Sequence, residues 1–117
     1  MSVNMTGRAV EFRVKVGARS TIELEIQNDD GTTKNLTNTT NFATGKWKVW
    51  KPDGTLLING DIIFFNRASG IVTYTLSVND TLLSKAGVWE GEVEIKDTAG
   101  NMTEQTQSFN FIIEESY

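Results

Sequence analysis

From Val10 onward the chain alternates apolar and polar side chains with a period of two. Val10, Phe12, Val14 and Val16 are interleaved with Glu11, Arg13 and Lys15; Ile22, Leu24 and Ile26 with Glu23, Glu25 and Gln27. This rhythm sends one set of side chains to a buried face and the other to water, as in an antiparallel sheet wetted on one side. It returns between Gly87 and Ile113. There Trp89, Gly91, Val93 and Ile95 share one parity, Asp97-Thr98-Ala99-Gly100-Asn101 supplies a turn, and Phe109, Phe111 and Ile113 resume the alternation. A closing β-hairpin is the expectation. Along the whole chain the pattern predicts strands near residues 9–16, 20–27, 34–37, 45–51, 55–65, 71–78, 88–96 and 103–113.

The boundaries have chemical reasons. Asp29-Asp30-Gly31 and Lys51-Pro52-Asp53-Gly54 provide turn residues that tolerate positive φ, and Pro52 presets the first φ of its turn. Asn35 to Asn41 is rich in Asn and Thr and reads as a short edge strand around Leu36 followed by a loop. Between Asn79 and Gly87 the alternation stops. Asn79 can cap a short helix near residues 80–86 carrying Leu82, Leu83, Lys85 and Ala86, with Gly87 suited to its end, and this helix is expected to bridge two sheets. The fold class is all-β, a sandwich of short strands. Residues 1–8 are polar and aperiodic and read as a flexible N-terminal arm, with residues 9–117 as the single domain.

Composition narrows the chemistry. The 117 residues contain no cysteine and no histidine. That removes disulfides, thiolate and imidazole metal ligands, and the Ser-His-Asp arrangement. A net charge of −4, with both signs interspersed, argues against a phosphate-binding nucleic-acid protein. The first residues lack the apolar core of a signal peptide, so a soluble, not classically secreted protein is expected.

Individual motifs point the same way. Asp29, Asp30, Asp53, Asp61 and Asp97 fall in expected turns, where Asp bonds its own backbone. Asn28-Asp29-Asp30-Gly31 lacks the spaced oxygens and distal glutamate of a calcium loop. Gly87-Val88-Trp89-Glu90-Gly91 is no phosphate cradle, and Gly91 is better explained by making room for the ring of Trp89 or Trp47. The Asn-x-Ser/Thr sequons follow from an Asn- and Thr-rich composition. No catalytic, metal or cofactor-binding residues are assigned, and no enzyme activity is expected.

Trp47 and Trp89 share parity with core positions, whereas Trp50 falls on the opposite parity beside a turn and is expected to be partly exposed. The segment from Leu56 to Phe65 is apolar on both parities. If Leu56, Ile58, Ile62 and Phe64 face the core, Leu57, Ile63 and Phe65 form an outer row suited to a protein interface. A bulge near Gly60-Asp61 that switches the parity is the other reading. Trp50, Leu57, Ile63 and Phe65 are the candidate interface residues.

The order of these elements carries a resemblance. Phe12-Arg13-Val14-Lys15-Val16-Gly17, Ile22-Glu23-Leu24, Asp30-Gly31, Leu36-Thr37 and Lys51-Pro52-Asp53-Gly54 are followed by Gly70-Ile71-Val72-Thr73-Tyr74, a short helix, Gly87-Val88-Trp89 and Phe109-Asn110-Phe111. The series resembles the N-terminal immunoglobulin-like domain of phage baseplate upper proteins. The resemblance implies an immunoglobulin-like antiparallel β-sandwich and a virion structural role at a tail, baseplate, fibre, neck or head surface. The implied partners are other virion proteins or copies of the chain itself, with no nucleic acid or membrane, and assembly would take place in the host cytoplasm. A carbohydrate-binding or adhesin module contacting host-surface glycans, tested by Trp50→Ala, is the alternative.

Overall fold

The computed structural model describes residues 11–115 except positions 29, 52, 83, 84 and 107. The expected N-terminal arm, residues 1–8, lies outside the described residues. Nine strands follow one another: β1 (Glu11–Lys15), β2 (Thr21–Glu25), β3 (Thr44–Trp50), β4 (Leu56–Asp61), β5 (Ile63–Asn66), β6 (Ile71–Thr75), β7 (Gly87–Lys96), β8 (Met102–Gln105) and β9 (Phe109–Glu114). They form two sheets. The larger has the order β1-β9-β7-β3-β4, with β8 on the same edge of β7 as β9, and the smaller has the order β2-β6-β5. β1 runs parallel to β9, and the other pairs are antiparallel. The result is an immunoglobulin-like β-sandwich.

The alternating residues meet between the sheets. Trp47 is fully buried, with the ring of Phe12 at 5.2 Å, that of Phe109 at 5.1 Å, and that of Tyr74, from the smaller sheet, stacked at 6.2 Å. Ring pairs of this kind add about 0.5–1.5 kcal/mol each beyond their burial. Trp89 is buried as expected, and its indole N–H donates to the Lys85 carbonyl at 2.9 Å. Gly91 does make room for a ring, but the ring belongs to Phe109, its cross-strand partner.

Several elements differ from the periodicity, each for a local reason. The run near 55–65 is two strands in different sheets, because the chain crosses from one sheet to the other at buried Ile62. The run near 103–113 is also two strands. Thr106 interrupts it: its hydroxyl accepts from the Val93 N–H at 2.9 Å while its own N–H donates to the Val93 carbonyl at 3.0 Å. Residues 34–37 are not a strand. The Asn35 side chain accepts from the Thr37 N–H and hydroxyl, a local turn that competes with a sheet ladder, and only an isolated bridge joins Gln27 to Thr33. Leu36 is nevertheless fully buried. Its N–H donates to the Arg67 carbonyl, and Arg67 Nη1 donates to the carbonyls of Leu36 at 3.0 Å and Phe42 at 2.7 Å.

Among the described residues a 3-10 turn spans Val78–Thr81, beginning before the expected position, and positions 83 and 84 of the expected helix lie outside the described residues. Ser77 precedes it in place of Asn79, and the Asp80 carboxylate accepts from the Ser77 N–H at 2.9 Å and the Tyr74 hydroxyl at 2.8 Å. Burial and this bond push the Tyr74 hydroxyl pKa far above its ordinary value. The turn is bonded to the β1–β2 corner through Gly17 N–H to the Thr81 carbonyl and Thr81 hydroxyl to the Ala18 carbonyl.

Candidate protein-interaction surface

The four candidate residues do not form one patch. Ile63 and Phe65 both lie on β5, at the edge of the smaller sheet, and are 62% and 69% exposed. Their exposure follows the strand alternation, in which Ile62 and Phe64 face the core and Ile63 and Phe65 face outward, and a bulge then leaves Asn66 exposed as well. β5 advances from Ile63 to Asn66 while its partner moves only from Thr73 to Ile71, so one residue is extra. Phe64 turns toward the core, where the Arg67 guanidinium lies 4.0 Å from its ring centroid, and Phe65 is left outside.

Leu57 and Trp50 belong to the larger sheet. A register shift pairs Val49 with Ile58 and Trp50 with Leu56, so Leu57 has no cross-strand position of its own and packs against the core, half-buried. This exchanges the expected orientations of Leu56 and Leu57. The parity switch is therefore at Leu57, not near Gly60-Asp61. Leu56, 53% exposed, joins half-buried Trp50 on the outer face.

The outer face of the larger sheet also holds residues that were not singled out from the sequence. Val88, 61% exposed, lies in register with half-buried Ile112. The signal was present, since Val88 has the parity opposite to Trp89. Further along the same strands the surface is charged. Glu90, Glu92 and Glu94 form a column on β7, in register with Trp50, Lys48 and Lys46 on β3. Lys48 Nζ holds Glu94 at 2.9 Å, and Lys46 holds Asp61, which ends β4 instead of sitting in a turn. The Gln105 amide donates to Glu92 at 2.7 Å. Partial burial raises the Glu92 carboxyl above the usual range, Gln105 opposes that shift, and neighbouring Glu94 adds to it. An open depression of about 310 Å³ lies against Lys46, Lys48, Lys96 and Glu94.

The turn aspartates bond their own loops. Asp30 accepts from the Thr32 N–H and hydroxyl, Asp53 from the Thr55 N–H, and Asp97 from the N–H groups of Ala99 and Asn101. These bonds hold the carboxyls of Asp30 and Asp53 below their ordinary range. Asp29 lies outside the described residues. Among the described residues no three acidic side chains cluster as a metal site would require.

The chain is similar in structure to the N-terminal domain of phage TP901-1 ORF48, with a TM-score of 0.65 and 19% identity over 92% of this chain and 85% of that one. CopC from Methylosinus trichosporium OB3b shares the fold at a TM-score of 0.55 and 12% identity, over 100% of this chain and 97% of its own. No curated protein shows significant similarity. The sequence profile of the BppU N-terminal domain matches residues 2–117, nearly the whole chain. With that match and the sandwich geometry together, the chain belongs to the family of N-terminal domains of phage baseplate upper proteins, a family with a structural role in the phage particle.

Proposed function

We infer that this chain is a non-enzymatic module that assembles a phage virion by protein–protein contact, with β5 as one of its contact surfaces. Family membership supports the virion role. The observation that carries the contact surface is the pair Ile63 and Phe65, two large apolar side chains exposed on an edge strand. A sheet edge offers unpaired backbone groups beside those side chains, so a partner can gain hydrogen bonds and apolar burial together. The partners are other virion proteins or further copies of the chain, joined in the host cytoplasm before release. Many copies related by symmetry compensate for a modest contact per copy. Glycan binding has less support: Trp47 and Trp89 are buried and Trp50 is half-buried, which leaves no fully exposed tryptophan to serve as a sugar platform.

Mass spectrometry of purified particles tests this reading. The chain should be present at a copy number set by particle symmetry, and Phe65→Glu should lower that number while the isolated chain stays folded. Absence from the particles would overturn the virion role. An unchanged copy number in the variant would remove β5 as a contact surface.

A further inference from the structure

The geometry points to a second interface, in which the outer face of the larger sheet packs on the same face of another copy of this chain. This rests on the structural role proposed above and uses a surface separate from β5. The face carries two adjacent columns of opposite sign. Exposed Glu90, half-buried Glu92 and Glu94, which is buried against Lys48, follow one another on β7, and Lys46 and Lys48 project from β3 beside them, with Lys96 bordering the same depression. Lys46 and Lys48 each have one carboxylate within their own chain, but an ammonium group has three donors and can bind a second. The depression, lined by three lysines and one glutamate, has an excess of positive charge.

Symmetry decides how two such faces meet. A two-fold axis lying in the face, parallel to the strands and between β3 and β7, sets each copy's glutamate column over the other's lysine column. An in-face axis perpendicular to the strands instead sets glutamates over glutamates. Like charges facing each other cost several kcal/mol, so the charge pattern selects the first arrangement. That arrangement also lays Glu90 of each copy over Trp50 of the other and brings Val88 to the partner's Trp50 end, adding apolar burial to the ion pairs.

The size of the face fits a weak, repeated contact. Five strands about 4.8 Å apart, each about seven residues long at about 3.3 Å per residue, offer roughly 500 Å² per copy. About 1,000 Å² in total is at the lower end for specific association. Such a dimer is concentration-dependent in isolation and is reinforced where other contacts already gather the copies.

Sedimentation equilibrium of the full chain, at about 50 mM and about 500 mM NaCl, tests the inference. The expected result is reversible dimerisation, weakened roughly tenfold at the higher salt because exposed charges are screened. Glu90→Lys and Val88→Glu, both at exposed positions, should each weaken it by a similar factor without moving the unfolding midpoint. The chain has no cysteine, so Glu90→Cys introduces a unique thiol close to the axis, and a short bismaleimide should capture dimers. Glu23→Cys, on the smaller sheet, should give none. A monomer at every concentration in low salt, a salt-insensitive dimer, or equal capture through both thiols would overturn the inference. Scoring particle incorporation in parallel separates the two readings: a monomeric chain still present in particles removes only the self-association.

Discussion

Gly91 lies opposite Phe109 across β7 and β9, and the Phe109 ring occupies the space that a side chain at position 91 would need. A Cβ there would come within 2.5 Å of Phe109 Cε1 and 2.9 Å of the Lys48 carbonyl oxygen. Gly91→Ala should therefore cost about 2 kcal/mol by overpacking, read as a lower urea midpoint at unchanged slope. Phe109→Leu in the same chain should recover part of that loss, since it relieves the ring contact but leaves the carbonyl. Additive losses in the double variant would contradict this packing.

Arg67 holds a loop that has no sheet pairing to hold it. Its Nη1 serves the carbonyls of Leu36 and Phe42, and its guanidinium plane covers Phe64. Arg67→Ala leaves both carbonyls without that donor and should destabilise the domain by about 3 kcal/mol. Arg67→Lys should restore less than half, because an ammonium group cannot stack as a planar guanidinium does. Thermal unfolding of both variants checks the ranking, and equal stability of the lysine variant and the parent would refute it.

Most of the fold was legible because one face of each sheet is dry. Strict alternation in Trp89 to Ile95 and in Phe109 to Ile113 placed the inner wall without any tertiary information. What the pattern missed are places where side chains replace backbone partners or where a residue is inserted. Thr106 bonds Val93 through its hydroxyl, and Asn35 bonds Thr37, and neither substitution alters hydrophobic periodicity. Around Leu57 the extra residue is invisible because both parities are apolar, so the sequence has no polar marker of which side faces water, whereas Ile63 and Phe65 keep the parity that the sequence shows. Arg67, thirty-one residues from Leu36, had no local signal at all.

Glu92 predicts a pH effect with a definite sign. Its folded-state pKa is raised, chiefly by burial and secondarily by Glu94, so the folded chain holds this proton more tightly than the unfolded chain does. The charged form is therefore a penalty that exists above the raised pKa and is relieved as pH falls through it. Glu92→Gln keeps an acceptor for Gln105 and should stabilise the domain at neutral pH. Because the carboxyl is only partly buried and solvent screens it, the gain should not exceed about 0.5 kcal/mol. The difference between variant and parent should vanish below the unfolded-state pKa. A difference constant across pH would show that Glu92 does not titrate differently in the folded chain.

The sharpest local test compares two adjacent phenylalanines. Strand alternation after buried Ile62 turns Phe64 inward, against the core and under Arg67, and leaves Phe65 in water beside the β5 bulge. Phe64→Ala should cost about 3 kcal/mol through lost packing and the lost cation–π contact. Phe65→Ala should stay within about 0.5 kcal/mol of the parent, although the two side chains are identical and neighbouring. Deleting residue 65 goes further. With Ile63 still facing Thr73 and Asn66 still facing Ile71, Phe64 alone would face Val72 and the pairing of β5 with β6 would become regular. The deletion should therefore fold with stability close to the parent while removing the Phe65 half of the apolar surface assigned to assembly. Equal losses from the two alanine substitutions would mean that β5 does not divide these residues between core and surface, and unfolding of the deletion variant would mean that Phe65 is not the extra residue of the bulge.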